Sequence, residues 1–203
     1  MQSALLLAFG GLTVYALLPS RWKKIFWVNL AILLPTASII LWSQLSSGYT
    51  WQQLGIRTDN LGASLALMSW FVAVAAVIMA LVAMAKNRFT WTWNMTVSVI
   101  LYPLWGYAQQ FLILSFINVR LMELHWPVVV IALLTGFAFM LLHVPDKWLM
   151  PATFGLGFYF SLLFQEQPNI LTLGIAHGWL GVLYYYWVIG KDPLAEKFGR
   201  KID

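Results

Sequence analysis

Four side chains with usable chemistry stand inside long apolar runs: Gln109 and Gln110 in "LWGYAQQFLILSF", His143 in "FAFMLLHVPDK" and His177 in "LGIAHGWLG". Near neutral pH an imidazole can take a proton or ligate a metal. A carboxamide donates and accepts hydrogen bonds but takes no proton. All seven acidic residues, Asp59, Glu123, Asp146, Glu166, Asp192, Glu196 and Asp203, lie outside the runs. No carboxylate is therefore placed among these groups to act as general base or hard metal ligand. Two histidines alone make a poor zinc set, since catalytic zinc usually has three protein ligands, and no metal site is expected. With no cysteine in the chain, thiol catalysis and disulfides are excluded. The plainer role for such groups is bonding between helices, worth roughly 0.6–2 kcal/mol each. Burying two amides without partners would cost a few kcal/mol, so partners are expected.

The elements that must position them are membrane helices. Of 203 residues, 61% are hydrophobic and 9% charged, and mean hydropathy is +0.77. That is too little charge to cover a soluble surface. Seven apolar segments approach the ~20 residues needed to span a bilayer, at about 2–18, 25–43, 62–85, 95–117, 127–144, 148–164 and 169–189. The runs are too continuous for a membrane β-barrel, so the expected fold class is all-α, a polytopic transmembrane helix bundle. Seven spans put ten basic residues on one side and only Arg57 and Arg120 on the other. This bias places the C-terminus in the cytoplasm and the N-terminus outside. The net charge of +5 then reads as a topology signal, with the bilayer as partner and no nucleic acid.

Nine tryptophans, Trp22 and Trp148 among them, fall near span ends, where the ring anchors at the headgroups. "MQSALLLAFGGLTVYALLPS" has no basic residue before its apolar core, so it is expected to be a retained span. Asn60 is a candidate cap for the third helix. Residues 1–203 are expected to form a single integral membrane domain.

On these boundaries Gln109 and His177 each lie about 12 Å from the outer end of their spans. They thus share a depth at which they could face one another. Gln109 and Gln110 point about 100° apart, so one glutamine is expected to face a partner such as His177 while the other reaches a neighbouring helix. His143 stands near the inner end of its span, about 12 Å deeper. Asp146, three residues on, could orient its imidazole, although Pro145 is expected to end the helix first.

The order of these motifs resembles the CAAX-protease and bacteriocin-processing family of intramembrane endopeptidases, over about residues 50–185. The resemblance runs from "WQQLGIRTDNLGASL" through "QQFLILSF" and "FAFMLLH" to "FGLGFYFSLLFQEQPNILTLGIAHGWLG". Family members carry two adjacent glutamates with an arginine four residues after the second; here Gln109, Gln110 and Leu114 stand there. The family's phenylalanine and histidine four apart match Phe139 and His143. Its last histidine matches His177, but Gly181 replaces the polar residue, usually asparagine, four later. The resemblance implies a site built on Gln109, Gln110, His143 and His177, with Phe139, Trp105 and Gly181 as ligand-lining positions. In the family the first glutamate and the second-motif histidine are proposed to activate water. A neutral amide cannot do that, and glycine offers no oxyanion donor.

Three functions follow as expectations. The first is a non-proteolytic binding or accessory protein for a lipophilic small molecule or another membrane protein's helix. The second is a hydrolase of altered mechanism using His143 and His177 with Gln109. The third is haem or pigment ligation by His177, where Gly178 and Gly181 leave room but equally permit close helix packing. No cofactor is predicted, and the expected location is the plasma (inner) membrane of a prokaryote.

Overall fold

The computed structural model describes residues 42–198 continuously, together with residues 6, 10, 11, 13–15, 17, 18, 36 and 38–40. The spans expected at 2–18 and 25–43 fall largely outside the described residues. Among the latter every regular element is helical. Two helices, Leu61–Ala85 and Trp93–Met122, are long and apolar enough to cross a membrane, and Val128–Leu141 is a shorter apolar helix. The chain forms two compact units, Met1–Arg57 with Phe111–Ile170, and Thr58–Gln110 with Leu171–Asp203.

The second unit contains helix α1 (Leu61–Ala85) and helix α2 (Trp93–Gln110). Most of α1 is exposed; its buried residues are Ser64, Met68, Met79 and Ala83. An apolar helix that buries so little of itself in protein has lipid as its natural surroundings. Ser64 is bonded to Thr172 at 2.5 Å between hydroxyls. Asn60 does stand at the helix start, but its side chain makes no capping bond. Its carbonyl accepts from the Ser64 amide instead, at 3.0 Å.

Later in the chain, helix α6 (Ile170–Leu183) leads into a widened π-helical turn at Tyr184–Ile189 and a short helix α7 (Pro193–Phe198). Small residues set how α2 and α6 meet. A Cβ on Gly106 would lie 2.4 Å from the Gly174 carbonyl oxygen, and one on Gly178 would lie 2.6 Å from Pro103 Cα. The two backbones thus touch through glycine, as in small-xxx-small membrane contacts. The start of the tail is fastened too. Asp192 accepts from the Leu194 and Ala195 amides, from Asn94 Nδ2 at 2.6 Å and from the Tyr186 hydroxyl at 2.8 Å.

Burial opposes ionisation of Asp192, but the hydrogen bonds from Ala195, Asn94, Tyr186 and Leu194 outweigh it and hold its carboxyl below the usual range. A carboxyl with a lowered folded pKa stabilises the fold above its unfolded pKa and loses that contribution as pH falls through the folded value. Asp192→Ala should therefore cost about 0.5–2 kcal/mol, the range for losing a helix cap. Thermal melts should show that difference at pH 7 and a smaller one in acid.

The first unit holds a π-helical segment (Phe111–Asn118), the single turn α3 (Val119–Met122), and the hairpin of α4 (Val128–Leu141) with α5 (Leu149–Glu166). Helix α4 stops short of Pro145, because a residue before proline disfavours helical geometry. Gly136 and Gly157 let the hairpin close. A Cβ on Gly157 would meet Phe139 Cβ at 2.9 Å and Gly136 Cα at 3.0 Å. One amide oxygen ties the unit's interior together: Asn118 Oδ1 accepts from Thr135 at 3.0 Å and from Ser161 at 2.6 Å. Ser115, Leu114 and Asn118 are all fully buried. Gln44 donates to the Ser115 carbonyl, and the Ser115 hydroxyl donates to the Leu54 carbonyl at 2.6 Å.

Candidate functional site

Gln110, the last residue of α2, has no exposed surface. Its Nε2 lies 3.0 Å from Nδ1 of His177, itself 5% exposed on α6. The glycine contact between α2 and α6 makes this pairing possible. Gly106 precedes Gln110 by one helical turn, Gly178 adjoins His177, and the near-touching backbones leave only side-chain reach between the two groups. With the amide as donor, Nδ1 accepts and the ring proton sits on Nε2. The other pole of the amide, Gln110 Oε1, is buried without a hydrogen-bond partner. An unpartnered buried acceptor is destabilising by about 1–3 kcal/mol and is the natural place for a ligand's N–H or O–H.

Of the two glutamines it is therefore Gln110 that bonds to His177, a choice the sequence left open. Helix geometry favours this choice only slightly: with Gly106 facing α6, Gln110 lies about 40° from that direction and Gln109 about 60° on the other side. Gln109 is partly buried. Trp105, next to Gly106, is 46% exposed and turned outward. Gly181 does not face open space, since a Cβ there would lie 3.1 Å from the Tyr102 ring. An asparagine at 181 would push against that ring. Pro103 likewise covers Gly178, so both glycines take part in close helix packing, one of the two uses the sequence left open for them.

His143 and Phe139 belong to the first unit. Phe139 is fully buried and stands edge-on to the His143 ring, centroids 5.1 Å apart at 85°. His143 Nδ1 lies 3.0 Å from the Phe139 carbonyl. A carbonyl only accepts, so the proton is on Nδ1 and the Nε2 lone pair is left available in the neutral ring. The phenylalanine and histidine four apart thus act as one device, the first holding the second by backbone and ring. Asp146 does not take the orienting role considered for it by bonding to the imidazole. Its Oδ1 accepts from the Trp148 and Leu149 amides at 3.0 and 3.1 Å and so serves the start of α5.

Sequence reasoning missed Arg120. Counted as one of two outward basic residues, it is 3% exposed. Its Nη2 donates to the Ser43 carbonyl and to the Ser43 and Ser47 hydroxyls, and its Nη1 to the Tyr49 hydroxyl. The signal was the serine and tyrosine run "SQLSSGYT", a helix end and turn rich in acceptors, but nothing in the sequence paired it with position 120. Among the described residues, no three His, Asp or Glu side chains converge as a metal set.

No curated protein and no solved structure matches the chain. Residues 88–183 match the family model described as Type II CAAX prenyl endopeptidase Rce1-like. The matched stretch takes in Gln109, Gln110, Phe139, His143, His177 and Gly181, whereas the lead-in at 50–87 lies outside it. Over residues 88–183 the chain is thus similar to the Rce1-like family, and this match, with the apolar helices, points to a CAAX-protease-type membrane protein.

Proposed function

We propose that this protein is a non-proteolytic member of the family, which binds a lipophilic chain or a partner's transmembrane helix at the Gln110–His177 pair. The observation that supports it most is the buried amide, held to His177 on one pole and open on the other. Such a pair can receive a hydrogen-bond donor in a dry setting, yet it has no carboxylate to take a proton from water. The test uses the full chain in phosphatidylcholine nanodiscs with a farnesylated C-terminal peptide. Retention of the peptide without any cleavage product by mass spectrometry is expected. Cleavage by the unaltered protein would end this reading.

A second reading, a hydrolase of altered mechanism, is favoured by the orientation of His143, whose Nδ1 is held by the Phe139 carbonyl so that Nε2 is the basic nitrogen of the neutral ring. It requires turnover of a peptide or lipophilic ester that disappears in His143→Ala, whereas under the binding reading that variant retains the peptide unchanged.

We infer also the seven-span arrangement in a prokaryotic plasma membrane, with the C-terminus inside. Its support is the ten-to-two partition of basic residues. The chain lacks cysteine, so single cysteines introduced at Arg57 and Lys197 can be probed with an impermeant maleimide. Labelling of intact cells at position 57 only is expected; labelling at both or at 197 alone would overturn the arrangement.

A further inference from the structure

The first unit contains a cleft of about 380 Å³ that shares no residue with the Gln110–His177 pair. The volume falls within the usual range of small-molecule sites. Val119, Met122, Phe164 and Pro168 supply its apolar walls, and Glu123, His125, Tyr49 and Gln53 supply its polar part.

Three features of the polar part point to a ligand. Glu123 Oε2 is buried and has no hydrogen bond. Arg120 Nη1 is 3.5 Å away, close enough for an ion pair but not a hydrogen bond. His125 ends the turn after α3 with φ of +55°, the left-handed conformation usually left to glycine. Its backbone is held there by a bond from its own amide to the Met122 carbonyl at 3.0 Å, and its imidazole is exposed at the cleft. Tyr49, finally, accepts from Arg120 at 3.2 Å and keeps its own hydroxyl proton to give.

Charge decides the class of ligand. The Arg120 guanidinium, 4.8 Å from the Tyr49 ring centroid, opposes the Glu123 carboxylate, so these two charges cancel among the described residues at the cleft. An anionic head would meet Glu123, and a cationic one would meet Arg120. A hydroxyl meets neither penalty, because it can donate to the carboxylate while accepting from imidazole or phenol. Burial also pushes the Glu123 carboxyl above its usual range, which a donated hydrogen bond would relieve. We propose that this cleft binds a neutral, hydroxyl-bearing amphiphile, with its head between Glu123 and His125 and its alkyl body on Val119, Met122, Phe164 and Pro168.

The test is photolabelling of the full chain in phosphatidylcholine nanodiscs with a decanol carrying a diazirine on its chain, followed by peptide mapping. Label is expected on residues 119–125 and 164–168. Unlabelled decanol should remove it about tenfold more effectively than decanoate or decylamine. Glu123→Leu should lower labelling about tenfold, as expected for a lost charge-assisted hydrogen bond. His125→Gly, which suits the left-handed backbone, should lower it about threefold without lowering the melting temperature. Equal competition by all three compounds would mean mere hydrophobic partitioning and overturn the proposal. So would preferential competition by the amine or the carboxylate, undiminished labelling in both variants, or label confined to other segments.

Discussion

Gly178→Ala is expected to destabilise the protein by about 3 kcal/mol, the upper part of the overpacking range. The added methyl carbon would lie 2.6 Å from Pro103 Cα and N. These are backbone atoms of a packed helix and cannot rotate aside as a side chain can. Gly106→Ala should behave alike, since its Cβ would come within 2.4 Å of the Gly174 oxygen. Gly62→Ala in α1 is the control. Nothing lies within 4 Å of its Cβ position, and helix propensity favours alanine by up to about 1 kcal/mol. Thermal melts of the four proteins in one detergent decide the matter. Equal melting temperatures for Gly62→Ala and Gly178→Ala would show that α2 and α6 do not meet through glycine.

The second large effect concerns the two glutamines. Gln110→Leu should cost about 1–3 kcal/mol, because it removes the amide bonded to the buried His177 Nδ1. Gln110→Glu should cost more. It places an ion where no surface is exposed, and the penalty for burying a charge remains about several kcal/mol even after relaxation. Gln109, only partly buried, should accept glutamate with a loss below about 1 kcal/mol. The same series tests binding: Gln110→Leu should release the farnesylated peptide while Gln109→Leu retains it. Chemical denaturation alongside peptide retention measures both. A Gln109→Glu variant as damaged as Gln110→Glu would reverse the assignment of the inward glutamine.

These two experiments bear on residues that differed greatly in legibility. Gln109 and Gln110 were conspicuous as amides in an apolar run, and His177 as an imidazole in another. Their pairing was not, because adjacent helical residues diverge by 100° and nothing local says which faces inward. Gly106 brings that stretch against α6, and its role depends on Gly174 and Gly178, some seventy residues away. Gly178 and Gly181 looked equally suited to packing and to housing a cofactor. Only the positions of Pro103 and Tyr102 distinguish these uses. Phe139 and His143 were easier, since a bond from a side chain to the carbonyl four residues back lies within one turn of helix.

What the sequence determined alone is the helical, membrane-seeking character of the chain and the approximate extent of its helices. Apolar runs expected at 62–85 and 148–164 became Leu61–Ala85 and Leu149–Glu166. The reason is that backbone polar groups in hydrocarbon must bond within their own segment, so composition over some twenty residues suffices. The family resemblance was legible for a similar reason, resting on the order of short motifs. The tertiary structure alone decided which polar atoms meet: Gln110 with His177, Asn118 with Thr135 and Ser161, Arg120 with its ring of serines. Each such contact joins distant parts of the chain, and its geometry turns on single-residue rotations and glycine-wide gaps that hydropathy does not register.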